Sequence, residues 1–596
     1  MMVLCSRSQG AEADDRPIPC VVLEGSPCSA CKERATIRQK IKQLEEEITK
    51  LNAKYNSLTT TMNGIHDPFI HKLPPEIGSH IFRLCLPTLD YGERDYCVDR
   101  IPSEWALPLR LGAVCRRWRQ LAWATPNLWE TLFLTIGPST RYSLAELLPF
   151  LLREWIGRSG ALPLTIFFVH SGWPHRMDED DALSEGDSPS DEESLSEDDP
   201  PSENESTSED ESPSEDESTS EDESPSEIEG ESADNSTFDK CTIDTLKVTT
   251  YFIIEILNFQ SGRWRSLYLH AGADIFKRFS DYTKPMRLVE LELSLNLAAH
   301  AEQSQWETPK FKMDSEPNPT HLKLTNFPVT STSIRWDSVT HATLYGICVA
   351  EGFDFLRRAP CLEYYHVFIS KTHEISYSSN IFHARLRSLH LLSTQSSSVE
   401  IFLREISLPS LEEWTQNTSD HRLPVAAMLS FLNRSCCSLK ALSLEAIPPQ
   451  SMDLSSLLQA IPSIEWLQLC FEWGFLDTTV MDDILTRIFC SVPGGSDILA
   501  NTTPEPFLPQ LQFIECLTES PAAPFSWDRI PQLYRQGHRW SLALRSAAFP
   551  SHITDETGVQ ILQLVDEGVG LEIHDRHRDE DFLTSFRNRM HNEGII

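Results

Sequence analysis

Four short motifs contain the side chains whose types and spacing could do chemistry, and each motif is incomplete. Cys28 and Cys31 have the spacing of a zinc-binding or redox pair, but no second pair follows at a useful distance. The other interpretation is two free thiols in a disordered arm. His373-Glu374 begins a zinc-protease motif, yet Tyr377 stands where the second histidine is needed. We therefore predict no metal site from these residues.

The remaining two motifs favour simple structural roles. His574 and His577 lie three residues apart in a charged segment, where solvated side chains are expected. Gly568-Val-Gly570 is followed by Ile573 where a dinucleotide-binding loop needs glycine, so it is typical of a turn that enters a strand. The sequence contains no Gly-x-x-x-x-Gly-Lys phosphate loop and no Gly-x-Ser-x-Gly nucleophile elbow. We predict a non-catalytic protein without a cofactor.

The net charge of −37 is concentrated in one segment. Between Asp178 and Glu231 lie 26 acidic residues and no Lys or Arg, with a six-residue repeat at 208–213, 214–219 and 220–225. Because almost nothing apolar is present to offset the entropy of ordering, we expect a disordered insertion over 176–237. Each repeat begins with a serine that has an acidic residue three positions on, and these serines are candidate phosphorylation sites: Ser208, Ser214 and Ser220.

The rest of the chain is mildly acidic, and 40% of the whole sequence is hydrophobic, as expected of a folded protein. It lacks the basic patch typical of a nucleic-acid-binding protein. The sequence has no run of 18 apolar residues, no signal-peptide core near its start, and an odd number of cysteines, 15, without framework spacing. We expect an intracellular protein, cytoplasmic or nuclear, that contacts neither nucleic acid nor membrane.

A heptad pattern follows residues 1–33, which are mixed in composition and expected to form a disordered arm. Over 34–66, apolar residues recur in alternating steps of four and three, and isoleucine at a with leucine at d favours a parallel two-stranded coiled coil and thus a homodimer. An amphipathic helix folded back on its own chain would show the same pattern, so both interpretations stay open. The seam consists of Ile37, Ile41, Leu44, Ile48, Leu51 and Leu58, with Tyr55, Met62 and Ile65 in register.

Two amphipathic helices are predicted after the coil. The first begins at Leu73-Pro-Pro-Glu-Ile77, because proline is tolerated where the first helical amides lack partners, and continues through Ile81 and Leu84. A long loop, Thr88 to Pro108, leads to a second helix, which is closed by Asn127-Leu128-Trp129. The apolar stripe of the second helix is formed by Leu111, Val114, Cys115, Trp118 and Leu121.

This ordered series of apolar and turn positions resembles an F-box, which we assign to residues 67–133. The loop is longer than in the compact F-box, and the coil directly before it is similar to that of fungal F-box proteins of the mushroom lineage. The resemblance implies a helical domain that binds the small adaptor subunit of an SCF-type (cullin-RING) ubiquitin ligase and, through it, the cullin. The residues implied in adaptor binding, some of which must hold the helices together, are Leu73, Pro74, Ile77, Ile81, Leu84, Val114, Trp118 and Leu121.

A pattern of the form Leu-x-x-Leu-x-Leu recurs through the rest of the chain. The best copies begin at Leu288, Leu386, Leu439 and Ile464, and weaker copies lie at 322–324, 362–367, 408–411 and 508–514. The better steps, 22 to 28 residues, have the period of leucine-rich repeats, each a strand followed by a helix or turn, although the usual turn asparagine is missing.

The predicted fold is therefore α/β. An N-terminal coiled-coil helix and a helical F-box precede a leucine-rich-repeat-like solenoid, which begins at 134–175, is interrupted by the disordered acidic loop, and continues over 238–574. Within it we predict a strand at 164–168, a helix at 243–257, a strand at 264–269, and a last helix and strand at 555–565 and 569–573. The charged tail, 575–596, is expected to be frayed.

In such a solenoid the leucines of each strand point inward, and the alternate residues line an exposed sheet face. A polar, mixed row on that face fits a protein-recognition surface better than a small-molecule pocket, although a plain solvated face is the other interpretation. The candidate target-binding residues, each between two inward positions, are Glu292, Lys323, His390, Ser443 and Gln468.

The sequence thus predicts a substrate-recognition subunit of an SCF-type ubiquitin ligase, which binds the adaptor through the F-box and a protein target through the repeat domain. An alternative from another class is a non-catalytic scaffold or chromatin-type factor. In that case the coil would dimerise and the acidic tract would bind basic proteins such as histones.

Overall fold

The computed structural model describes residues 28–66, 73–87, 106–137, 140–171, 240–281, 288–297, 308–371, 380–420, 422–445, 452–471, 479–490, 507–518, 525–534, 541–546, 553–575 and 580–592. The predicted acidic insertion with its three candidate serines, the motif at 373–377, His577 and residues 1–27 lie outside this part of the chain.

The helices of the described segments follow the predicted order of a long first helix, a helical unit and a strand–helix alternation. They are α1 Ser29–His66, α2 Pro75–Leu84, α3 Leu107–Val114, α4 Arg116–Trp123, α5 Tyr142–Arg158, α6 Lys240–Asn258, α7 Ala273–Phe276, α8 Val349–Arg358, α9 Ser396–Glu405, α10 Val425–Ser435, α11 Met452–Gln459, α12 Thr479–Cys490, α13 Arg529–Tyr534, α14 Asp555–Asp566 and α15 Phe582–Asn592.

The strands form one large parallel sheet and two small ones. They are β1 Thr131–Ile136, β2 Leu164–His170, β3 Trp264–Ala271, β4 Glu290–Leu295, β5 Phe311–Lys312, β6 His321–Thr325, β7 Thr332–Ser333, β8 His341–Cys348, β9 Tyr364–Lys371, β10 Ile381–Phe382, β11 Ser388–Ser393, β12 Ile406–Ser407, β13 Glu413–Thr418, β14 Ala441–Leu444, β15 Trp466–Phe471, β16 Phe513–Thr518, β17 Ser541–Ser546, β18 Leu571–Asp575 and β19 Glu580–Asp581.

Fifteen of these strands lie side by side in chain order in the large sheet, and two short parallel pairs, β5 with β7 and β10 with β12, stand apart from it. Neighbours in the large sheet are parallel except for β18 and β19, which are antiparallel. Helices between the strands contact one another in sequence from α8 to α15. The result is a mixed α/β architecture that advances along the sheet one strand at a time.

The leucine pattern places one face of the strands that contain it in the core. Because the strands are in register, Leu293, Leu324 and Leu344 are direct neighbours on β4, β6 and β8, and all three are fully buried. The same core cluster contains the large side chains Trp264 and Trp414 and the buried faces of the helices. All four of the best predicted copies form strands of the large sheet: β4, β11, β14 and β15.

Some strands, such as β8, do not follow the leucine pattern and were not predicted from it. At β8 the pattern's inward positions are Val339, which precedes the strand, and Ala342 and Leu344 within it; all three are buried, but the first two are smaller than the expected leucine. Gly346 then adopts φ +74° where the pairing of β8 with β9 shifts register, and a Cβ there would lie 2.0 Å from the side-chain oxygen of Asn326. Glycine is therefore required at this bulge.

The two sides of the acidic insertion belong to one core. The strand before it, β2, buries Phe168, and the helix after it, α6, buries Ile253 in the same cluster. The strand β2 also pairs directly with β3, which follows α6. Thus β2 and α6 share one hydrophobic core although the acidic tract separates them in the sequence.

The prediction of a frayed tail after residue 574 is wrong for α15. Leu583, Phe586 and Met590 recur at steps of three and four and are all buried, which gives the helix an apolar stripe despite its charged composition. Phe586 packs so closely on α14 that a Cβ on Gly558 would lie 2.1 Å from its ring. Because charge dominated the composition of this segment, the short stripe was overlooked.

The imidazole of His170 makes folding sensitive to pH. Burial at the end of β2 lowers its pKa from 6.5 to about 4, while the carboxylate of Asp274 acts in the opposite direction. The unfolded chain therefore binds the proton more tightly than the folded chain, so this contribution to stability is complete above about pH 6.5 and is lost as the pH falls towards 4. The loss amounts to roughly 3 kcal/mol.

We expect the urea midpoint of the intact chain to fall between pH 7 and pH 4, and to fall less steeply in the variant His170→Asn. The slope against pH is the readout, because the substitution itself also changes packing. Equal slopes for the two proteins would show that His170 does not titrate in this range.

Candidate functional site

The second amphipathic helix predicted from the sequence is two helices, α3 and α4. Between them Cys115 is extended, with φ −154° and ψ 171°, and its Sγ accepts a hydrogen bond from the backbone N–H of Trp118. Cys115 therefore ends one helix and caps the next, so the single apolar stripe expected through it is wrong. With α2 and the turn at Pro126–Trp129, these helices form a three-helix unit.

The core of the three-helix unit explains the spacing of its apolar residues. Phe82, Leu111, Ala122, Leu128 and Trp129 are all buried in one cluster. The indole N–H of Trp129 donates to the carbonyl of Ala122 at 2.9 Å, so its only polar atom is satisfied inside the core. Phe82, which is not among the predicted binding residues, is the large buried side chain that α2 contributes to this core.

Two of the eight predicted adaptor-binding residues hold the helices together. The Trp118 and Phe82 rings have centroids 4.9 Å apart, and Leu121 packs against α2 where Gly78 has no side chain. A Cβ on Gly78 would lie 2.7 Å from Cδ2 of Leu121, so glycine permits this close approach of α2 and α4. Both Trp118 and Leu121 are half-buried and pack on the core of the unit.

The other predicted residues lie at or near the surface. Ile77, Leu84 and Val114 are 46%, 69% and 55% exposed, Pro74 is also exposed, and Leu73 and Ile81 are half-buried. Along α2, Ile77, Ile81 and Leu84 follow steps of four and three and form a stripe separate from the one that buries Gly78 and Phe82. Leu109 on α3 is another exposed apolar residue, at 49%. It was not among the predicted adaptor-binding residues, because only its neighbour Leu111 fits the apolar spacing of the helix.

An aromatic junction joins the three-helix unit to the sheet. The ring of Trp129 meets Trp155 of α5 edge-on, with centroids 4.7 Å apart. The guanidinium of Arg158, also on α5, lies 4.8 Å from the ring centroid of Trp123 and 4.7 Å from that of Trp129. Trp155 packs on both hydrophobic cores, so the unit is anchored to the first helix that covers the sheet.

Residues 70–135 match the F-box-like family. The chain contains an F-box-like domain. The predicted F-box is thereby confirmed, and the matched segment extends into β1, the first strand of the large sheet. A comparison of the chain with curated proteins found no match.

The long helix before the F-box-like domain leaves its apolar seam in solvent. Helix α1 begins at Ser29, five residues before the predicted start, so part of the predicted disordered arm is helical. From Ile37 to Met62 the exposed fractions of the seam residues run from 50% to 69%. None of the described helices, α1 included, is long and apolar enough to cross a bilayer.

The five predicted target-binding residues lie in one row across the sheet, on the face opposite the buried leucines. The strand register connects these residues through β8, β9 and β13, which add Thr343, His366 and Thr415 to the row. The complete row is Phe133, Phe167, Tyr268, Glu292, Lys323, Thr343, His366, His390, Thr415, Ser443, Gln468, Glu515, Ala543 and Glu572.

The predicted residues of the row differ in accessibility. Glu292 and Lys323 are partly exposed and form an ion pair at 3.2 Å. Ser443 is only 3% exposed, because its hydroxyl donates to Oε1 of Gln468 at 2.6 Å and is covered by that side chain. Gln468 in turn donates to Glu515 at 2.8 Å. The expectation that Ser443 is exposed on the sheet face is therefore wrong.

The cysteine pair of the first motif lies at the start of α1. Cys28 precedes α1, and Cys31 lies in its first turn. Across the described residues, no group of three or more His, Cys, Asp or Glu side chains is arranged to hold a metal ion.

Proposed function

We propose that the protein is a substrate-recognition subunit of an SCF-type ubiquitin ligase. The observation that carries this proposal is the exposed apolar set of the F-box-like domain, Ile77, Leu84, Leu109 and Val114. Large apolar side chains on the surface do not gain the free energy of burial unless a partner covers them. Buried apolar anchors of this kind supply most of the affinity of protein interfaces. In an F-box-like domain, the partner of suitable chemistry is the ligase adaptor.

The protein itself would make and break no bonds. A target held on the sheet would be kept near the ubiquitin-loaded enzyme supplied by other subunits, so the acceleration would come from proximity. The junction of Trp129, Trp155 and Arg158 supports this mechanism, because it restrains the F-box-like domain relative to the sheet that would carry the target.

For the sheet we infer a leucine-rich-repeat-like solenoid. Support comes from strands that follow one another in chain order and from buried Leu-x-x-Leu-x-Leu positions such as Leu386, Leu389 and Leu391. The exposed row that includes Glu292, Lys323 and His390 would then be the target-binding face.

Affinity purification of the tagged intact chain tests the proposal. We expect the adaptor and the cullin in the eluate. Recovery of basic proteins such as histones, with neither ligase subunit, would instead favour a scaffold that acts through the acidic tract at 178–231.

The exposed seam of α1 supports a second, narrower proposal, a parallel homodimer through the coil. A helix folded back on its own chain would cover its seam, whereas Leu44, Ile48 and Leu51 are each at least half exposed. Isoleucine at a and leucine at d suit a two-stranded coil.

Sedimentation equilibrium of the intact chain should show a dimer, and Leu44→Asp with Leu51→Asp should make it monomeric, because each charge would lie in the apolar seam. Gln43→Asp with Lys50→Asp is the matched control, since these positions have the same spacing on the outer side of the helix. A wild-type chain that stays monomeric at all concentrations would contradict the dimer.

A further inference from the structure

An aromatic strip occupies the centre of the exposed sheet face. Ring centroids of neighbouring members are 4.5 to 5.9 Å apart, so the rings form a continuous surface across β6, β8, β9 and β11. Lys323 already lies 5.8 Å from the centroid of Tyr345, which shows that a cation can approach these rings. The central aromatic strip is His321, His341, Tyr345, Tyr364, His366 and His390.

Partial burial favours the neutral form of two imidazoles of the strip, those of His341 and His390. Burial lowers the pKa of His341, the adjacent His321 lowers it further, and Glu363 opposes the shift. Burial also lowers the pKa of His390, against the attraction of Glu413. At neutral pH these rings therefore present π faces and carry little positive charge.

The same face is acidic. Among the Lys and Arg residues of the large sheet, Lys323 and Arg545 lie on this face, and both are engaged, with Glu292 at 3.2 Å and with Glu515 at 2.9 Å. The charged rim just before these strands is balanced, with Arg387 and Lys440 near Glu363 and Glu412. The glutamates that lie on this face or at the ends of its described strands include Glu290, Glu292, Glu413, Glu445, Glu515 and Glu572. Of these, Glu413 and Glu572 are exposed.

We propose that the central aromatic strip and Glu413 bind an arginine- and lysine-bearing segment of the target protein. A guanidinium or ammonium would lie over the rings of Tyr364 and the neighbouring histidines and pair with Glu413 of β13, the strand next to that of His390. This inference rests on the proposed target-binding role of the sheet and adds the chemistry of the target.

Charge complementarity decides whether a basic or an acidic segment binds to the strip. An acidic peptide, including the tract of this chain between Asp178 and Glu231, would meet the exposed carboxylates of Glu413 and Glu572 and be repelled. The tract, with 26 acidic residues, would instead raise the local concentration of basic segments by long-range attraction. A basic segment is thus favoured over an acidic or a self-derived one.

The test measures fluorescence anisotropy of short labelled peptides with the intact chain. A peptide of alternating arginine and glycine should bind, and peptides with glutamate or glutamine in place of arginine should bind far more weakly. Glu413→Gln and Tyr364→Ala should each weaken the arginine peptide roughly tenfold, which corresponds to about 1.4 kcal/mol. Tyr364→Phe keeps the ring and should bind like wild type.

Glu400→Gln is the matched control, because it removes an exposed carboxylate on α9, away from the sheet face, and should have no effect. Arginine-peptide affinity unchanged by both Glu413→Gln and Tyr364→Ala would overturn the inference and place the interaction on the acidic tract. Equal binding of the glutamate peptide would also overturn it. Adaptor capture is measured on the same proteins, so failure of the ligase proposal would be seen separately as loss of the adaptor with peptide binding intact.

Discussion

Replacing Ile77 and Leu84 together by aspartate should abolish capture of the ligase adaptor by the intact chain. Both side chains lie on one stripe of α2, 46% and 69% exposed, and neither belongs to the core of the F-box-like domain. An apolar anchor at the centre of an interface contributes about 2 kcal/mol or more, and a charge in its place adds a desolvation cost. We therefore expect affinity to fall by roughly three orders of magnitude or more.

The same double variant should fold normally, since exposed substitutions change stability by only about 0.5 kcal/mol. Leu147→Asp with Leu151→Asp is the matched control: these leucines are 55% and 53% exposed on one stripe of α5, outside the F-box-like domain. Quantitative pull-down with purified adaptor, alongside thermal unfolding, provides the measurement. Retained adaptor binding by the α2 variant, or loss in the α5 variant, would show that the interface lies elsewhere.

Trp118 would make a poorer probe than the sequence suggested. Its ring packs on Phe82 in the interior of the F-box-like domain, so Trp118→Ala would lower the stability of the domain and its affinity for the adaptor together. From the sequence, Trp118 and Ile77 share an apolar pattern and cannot be distinguished. Only the packing of α4 on α2 shows that one side chain faces inward and the other outward.

Strand positions could be predicted from the sequence wherever the buried positions of a strand are leucines. In a parallel sheet covered on one face, each strand must bury alternate residues, and Leu389, Leu442 and Leu467 mark their strands for that reason. The prediction failed at β8, where Ala342 takes the inward position, and at α15, where three buried residues are scattered among charged ones. In both places the tertiary neighbours, rather than the local pattern, decide the structure.

The exposed row could be predicted in part because register follows from the same alternation. Glu292 and Lys323 were placed correctly as neighbours, since each lies between two leucines. The aromatic strip was not predicted as a unit, because its members lie on four strands and only Lys323 and His390 among the nearby positions were selected. Paired positions on successive strands are 20 to 24 residues apart in the sequence, so the cluster forms only when the sheet brings these strands together.

The largest effect on stability is expected at Leu389, at the centre of the large sheet. It lies on β11 between Tyr365 of β9 and Trp414 of β13, and all three side chains are buried. Truncation to alanine should cost about 2–5 kcal/mol through lost burial and the resulting cavity. Aspartate should cost more, because the site offers an isolated carboxylate neither water nor a cation.

Since each strand contacts only its neighbours in chain order, damage at β11 should also uncouple the strands on its two sides. We expect Leu389→Ala to lower the urea midpoint followed by circular dichroism and tryptophan fluorescence, and Leu389→Asp to replace one cooperative transition by two or to prevent folding. His390→Ala, on the open face of the same strand, is the matched control and should shift the midpoint little. A single transition with an unchanged midpoint in Leu389→Asp would mean that this leucine is not part of a continuous core, and that the sheet does not depend on its central strand.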